Sequence, residues 1–234
     1  MTHSRILFLL CVFAQLPLFA HNSASFLGLE DASENYRYIA QQALKDFNVT
    51  NFDTIPIKKV GGISKYILGN NTLSFTLYGI WVDEDLLAAF PKQEIIFTLY
   101  EEAAHYVLRH HAKLLLSLIP SSFALWAFSH GAARAIGGSF IRKALTICLS
   151  GAGLIFGIDR YMMSPIIRSH EKEAELAAAR VLCKVQKHEV VFGHIDYLQN
   201  LLSRGEASSD CWWHTTSERI KYMKEFMQTQ EINV

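Results

Sequence analysis

Two apolar runs, LLLSLIPSSFALWAF from Leu114 to Phe128 and ALTICLSGAGLIFGI from Ala144 to Ile158, flank the more polar SHGAARAIGGSFIRK. Each is shorter than the roughly 20 residues an α-helix needs to cross a bilayer, yet longer than an ordinary buried core segment. A hairpin in lipid and a hydrophobic lid packed in or on the protein fit them equally well. Arg134, Arg142 and Lys143 at the tip are matched by Arg109, Lys113, Arg160 and Arg168 near the base, so no charge bias orients the hairpin across a membrane. Either form imposes the same topology. A hairpin returns the chain to the side it left, so the segments before 113 and after 159 can meet.

A chain of 234 residues holds one domain of ordinary size, with or without a membrane element. Lys and Arg together number 22, as do Asp and Glu, so no basic field draws nucleic acid, and a nucleic-acid partner is not expected. The start, MTHSRILFLLCVFAQLPLFAHNSAS, has Arg5, an apolar run from Ile6 to Ala20 and a small polar stretch. That order is a secretory leader at residues 1–20, cleaved after Ala20, and predicts an exported protein. An uncleaved anchor is the alternative, because Leu18 is large for the −3 position. The mature chain, 25–234, would then form a single domain with the hairpin 113–158 inserted. With the leader removed, Cys148, Cys183 and Cys211 are an odd number with no paired spacing, so neither a disulfide framework nor a cysteine zinc site is expected; Cys148, in an apolar run, and Cys183, in a helical pattern, read as buried thiols.

Residues 32–47 place Tyr36, Ile39, Ala40, Ala43, Leu44 and Phe47 at helical spacing. The stretch from Asn48 to Leu87 is rich in β-branched and aromatic residues punctuated by Gly61-Gly62 and Gly69-Asn70-Asn71, which predicts short strands and a hairpin. Phe75–Val82 is the clearest strand, and Asp83 opens a turn or caps a helix. Helical patterns run from Lys92 to about Lys113, after Pro165 to about 185, over about 190–203, and from about Ser217 to Gln228. The fold class that follows is α+β, helix-rich, with a small β-sheet.

The chemistry sits in FTLYEEAAHYVLRHH, Phe97 to His111. Residues four apart share a helix face, so Glu101 and His105 project together, with Glu102 beside the first. This is the layout of HExxH with Glu in the first position. In HExxH the outer residues bind zinc and the Glu between them handles the proton of the attacking water. A third ligand must come from elsewhere. The later RSHEKEAELAAA supplies Glu171, with Glu175 one turn on to orient a ligand. The bland readings are a solvated helix face for Glu101 and Glu102, a hydrogen-bonded core histidine for His105, and surface charge for Glu171. His110, His111, His130 and His170 read by default as polar helix residues. A di-iron bundle would need a second ExxH, and only Glu102/His105 is clear.

Together these residues resemble the HtpX-like zinc metallopeptidases, the family of the CAAX prenyl protease and the mitochondrial Oma protease. That family joins HExxHxxxRH to a later ExxAD, often across a hydrophobic hairpin. EEAAHYVLRH matches all but the first His, with Glu102, His105, Arg109 and His110 in place. EKEAE matches with Glu171 and Ala174 in place and Glu175 for Asp, and HTTSERI resembles the family's late His and ERI, with Thr215 in place of Pro. The likeness covers roughly residues 75–225. It implies a zincin-like metallopeptidase domain acting on envelope or misfolded proteins, in the periplasm or cell envelope, with membrane association through 113–158. It also implies Glu101, His105 and Glu171 as metal ligands, Glu102 as base, His214 as a mobile catalytic histidine, and Arg219 as an anchor.

The substituted letter has consequences. Zinc with two imidazoles and one carboxylate stays positive, whereas zinc with one imidazole and two carboxylates is formally neutral and activates water less. Slow hydrolysis, or a higher pH optimum, is the expectation. Oxygen ligands shift preference modestly toward manganese or iron, although zinc comes first. Without metal, the adjacent Glu101 and Glu102 carboxylates repel when buried, which favours a protonated, empty site. The alternative is an inactive pseudopeptidase that binds extended polypeptides or partner proteins by edge-strand pairing along Phe75–Val82.

Overall fold

The computed structural model describes residues 30–61, 73–75, 79–114, 116–117, 131, 164–206 and 214–230. The expected leader at 1–20 and nearly all of the expected hairpin 113–158 lie outside them. Among the described residues no helix is long and apolar enough to cross a membrane.

The elements are β1 (Glu30–Asp31), α1 (Glu34–Asp46), a 3-10 turn (Phe52–Thr54), β2 (Ile57–Lys59), β3 (Leu73–Phe75), β4 (Gly79–Val82), α2 (Glu84–Leu87), α3 (Lys92–Val107), α4 (Ser164–Lys184), α5 (His188–Ser203) and α6 (Thr216–Thr229). This is a helix-rich α+β protein. The sheet order is β1-β2-β4-β3, with β2 and β4 parallel and the outer pairs antiparallel. Two compact units are distinguished. One comprises residues up to Leu108 with Ala177–Tyr197, the other Arg109–Leu176 with residues from Leu198 on.

In the first unit α3 packs on α1 and over β3 and β4. Alternation and helical spacing put Ala40, Ala43 and Leu44 of α1, Ile80 and Val82 of β4, and Phe97 of α3 out of water. Buried polar bonds lock these pieces together. The Tyr100 hydroxyl donates to Asp46 at 2.5 Å and accepts from Lys187 at 2.8 Å. Burial, with the Asp46 carboxylate beside it, pushes the Tyr100 phenol well above its ordinary 10.0, so it stays a donor throughout the physiological range. Glu94 and His194 face each other at 2.7 Å, both buried, and the His194 ring stacks on Phe97 with centroids 3.7 Å apart. Gly193 permits this approach of α5 to α3, since a Cβ there would lie 2.6 Å from Cβ of Gln93.

Two expectations change. The single strand Phe75–Val82 is instead an antiparallel pair, with Phe75 opposite Gly79. Its second half, β4, is a central strand whose two edges are taken by β2 and β3, so it cannot receive a peptide; among the described strands β3 is the outer one on that side. The break is Gly79, at φ +91°, where a Cβ would lie 1.9 Å from the Pro56 carbonyl oxygen that accepts the Ile80 N–H. Gly79→Ala combines that collision with a backbone region L residues avoid, and is expected to cost at least about 2 kcal/mol in urea unfolding. A loss under about 0.5 kcal/mol would mean the strand pair shifts freely and the parallel β2–β4 register is not fixed there.

The second change concerns α3, which ends at Val107 rather than near Lys113. Leu108 caps it, and Arg109 takes a left-handed φ of 55° before residues 110–114 become helical again. In the second unit Ala174, Leu198, Met223 and Met227 are buried. Helix α6 begins with a capping box: the Thr215 hydroxyl accepts from the Glu218 N–H, while the Glu218 carboxylate accepts from the Thr215 N–H. That backbone hydrogen bond holds the Glu218 carboxyl below its ordinary range. Asp83 caps α2, accepting from the Leu86 N–H at 3.1 Å, as its place after a strand predicts.

Candidate metal centre

Helix α3 carries two of the three candidate ligands. Lys92–Val107 contains neither Gly nor Pro, and its buried face runs through Glu94, Phe97, Tyr100 and Ala104 to His105 in the last turn. Glu101 and His105, four apart, project from one side. His105 is 6% exposed and Glu101 half-buried. The end of a helix presents unpaired carbonyls and the negative pole of the backbone dipole, which favours a cation there by about 0.3–1 kcal/mol. Helix α4 carries the third, Glu171, half-buried in its second turn.

Among the described residues, Glu101, His105 and Glu171 each offer a ligand atom within 4.8 Å of the other two. The donor set fits a divalent cation. An ion at the centre of such a triangle would sit at most about 2.8 Å from each atom, so small side-chain rotations close to the roughly 2.0–2.2 Å of zinc–oxygen and zinc–nitrogen bonds. Two carboxylates and a neutral imidazole carry the charge that cancels a doubly positive ion. With no cation or shared proton between them, carboxylates this close repel. Three protein ligands also leave the fourth tetrahedral position open, the arrangement of catalytic rather than structural zinc.

Glu102 follows Glu101 and is buried at 9% exposure, beside the ligand set without belonging to it. His214 is not one of the three clustered residues. Its Nε2 donates to the backbone carbonyl of Arg168 at 3.1 Å, its Nδ1 lies 3.6 Å from Glu218, and its ring meets Tyr222 edge-on. Both nitrogens are therefore engaged near the start of α4, in contacts that tie the entry of α6 to that helix. Glu175, expected to orient a ligand, is buried at 1% exposure and accepts from Nε and Nη2 of Arg219 at 3.1–3.3 Å and from the Tyr222 hydroxyl. Arg219 thus does the anchoring its position suggested. Cys183 is a half-buried thiol in no disulfide, its pKa pushed up by burial.

Sequence reasoning missed the roles of His110 and Glu173. The ring of His110 is buried against His170, and its Nε2 lies 3.2 Å from Glu173. Only the histidine-rich run RHH pointed there, and helical periodicity alone reads such residues as a polar face. No protein-family model, curated protein or solved structure matches the chain.

Proposed function

We propose that this protein is a metal-dependent endopeptidase of the HtpX-like kind, with a carboxylate in place of the first histidine ligand, acting on extended segments of envelope or misfolded proteins. The observation that carries it is the convergence of Glu101, His105 and Glu171 on one ion-sized space. These residues would hold zinc, with manganese or iron as the oxygen-favoured alternatives. When bound, zinc supplies a Lewis acid that polarises the peptide carbonyl and activates water. Glu102 is the proton carrier of this reading: a buried carboxylate beside the ligands takes the proton from attacking water and delivers it to the leaving amine. His214, the mobile catalytic histidine that the resemblance implies, rests in this structure against the Arg168 carbonyl and Glu218 at the start of α4 and α6. The expected leader at 1–20 makes it an exported, envelope-located enzyme, and the apolar segments of 113–158 associate it with a membrane.

The test is cleavage of unfolded casein by the full chain after zinc loading. Cleavage should stop on chelation, resume with added zinc, and fall by about 10²-fold or more in Glu102→Gln. Because the two-carboxylate centre is formally neutral, the rate should be low near neutrality and climb toward alkaline pH. Cleavage indifferent to both chelator and Glu102→Gln would overturn the reading. A second reading, peptide capture without hydrolysis, rests on the outer position of β3 among the described strands, where an extended chain could pair. It is the outcome if zinc-loaded protein binds casein peptides and cuts none.

A further inference from the structure

Among the described residues, the polar constellations outside the triad include Tyr100 with Asp46 and Lys187, Glu94 with His194, and His110 with His170 and Glu173. The first two join elements within the first unit. The third brackets a candidate ligand, Glu171.

After α3 ends, the left-handed Arg109 turns the chain so that His110 is the first side chain of the next helical turn, and it is 2% exposed. Its Nε2 lies 3.2 Å from Oε2 of Glu173, while its ring lies flat on that of His170, centroids 4.4 Å apart and planes within 1°. An ionised carboxylate only accepts, so Nε2 carries the hydrogen in this bond. His170 and Glu173, three apart on α4, form one stripe of that helix. Glu171 falls between them in sequence and on the adjoining stripe. One turn further along that stripe, Glu175 is held by Arg219 and Tyr222.

We propose that His110 is a positioning residue for the metal ligand Glu171: by clasping His170 and Glu173 it sets the rotation of the α4 turn that presents the Glu171 carboxylate. This rests on the metal-site reading above. The geometry makes rotation the sensitive variable. A side chain about 5–6 Å from the helix axis swings about 2 Å when the helix turns by about 20°. A metal site tolerates only about 0.2 Å of error in ligand distance. Van der Waals packing of a surface helix permits such a swing, whereas a buried ring stacked on His170 on one side of Glu171 and hydrogen-bonded to Glu173 on the other opposes it.

The test is zinc affinity by chelator competition on the full chain, beside the thermal unfolding of the metal-free protein, in the native and Glu101→His backgrounds. His110→Phe keeps a buried stacking ring and deletes the ring nitrogens, the N–H to Glu173 among them. It should weaken zinc binding by about 10–100-fold, the usual effect of removing a partner that orients a ligand. His110→Ala should weaken it more, and Glu173→Gln, which keeps an oxygen acceptor, should stay near the native value. The metal-free melting temperature should move little in His110→Phe. Unchanged affinity in a background that binds zinc overturns the positioning role and leaves the metal site standing. Affinity lost only in step with the stability of the metal-free protein makes His110 a packing residue, and likewise overturns it. Absence of zinc from both backgrounds overturns the metal-site reading and this role with it.

Discussion

Replacing His105 with alanine is expected to abolish the thermal stabilisation that added zinc gives the native protein. A ligand that binds only the folded chain stabilises it by about 2.7 kcal/mol at a hundredfold excess over its Kd, so a working site announces itself as a zinc-dependent rise in melting temperature. His105 is the sole nitrogen donor of the triad and is 6% exposed, while Glu101 and Glu171 are half-buried. Its loss leaves two carboxylates, a site better suited to a weakly held hard cation than to zinc. The affinity should fall by more than the roughly 10–100-fold expected from loss of an outer partner. Glu171→Ala should act in the same direction. Glu101→His should do the reverse, since it restores the second imidazole and the positive charge of the centre. Calorimetric melting with and without zinc checks all three, and a zinc-dependent rise that survives in His105→Ala would place the ion elsewhere.

The second large effect is on stability. Arg219→Ala should destabilise the protein by about 3 kcal/mol, because it strips the guanidinium from a carboxylate with 1% exposure. The Tyr222 hydroxyl still donates to Glu175, but a neutral donor does not replace the opposite charge of the guanidinium. Glu175→Gln in the Arg219→Ala background should recover part of the loss by removing the stranded charge, which separates a charge effect from a simple packing loss. Arg219→Lys should fall between, keeping the charge but not the paired N–H bonds. Urea unfolding measures the series. An Arg219→Ala midpoint equal to the native one would mean that α4 and α6 are held by their apolar contacts alone.

Local periodicity made much of this legible. The helix over 32–47 appears as Glu34–Asp46, and that over 190–203 as His188–Ser203, because a 3.6-residue repeat of apolar side chains is written directly in the chain. The pairing of Glu101 with His105 follows from the same spacing. The arrival of Glu171 beside them was predicted from the hairpin topology and the ExxA motif, and the three do converge. Other features carried a signal that was read differently. Gly79 sits inside an apolar run that looks like one strand, yet only a residue without a Cβ fits against Pro56 there, and that glycine marks the break. Thr215 and Glu218 spell a capping box, so HTTSERI is the start of a helix as well as a likeness to a metal-site motif. The rest had no local signature. Arg109 turns left-handed without being glycine, and bonds such as Glu94 to His194, 100 residues apart, depend on packing that no short window contains.

The measurement that bears most directly on the central claim is metal content by plasma mass spectrometry on the purified mature protein, beside Glu101→His and the double variant His105→Ala/Glu171→Ala. The account predicts about one zinc per chain in the native protein and in Glu101→His, and none in the double variant, consistent with a three-ligand site. Native protein that is empty while Glu101→His fills would contradict it, showing that the carboxylate at 101 has cost the chain its metal and leaving peptide capture as its work.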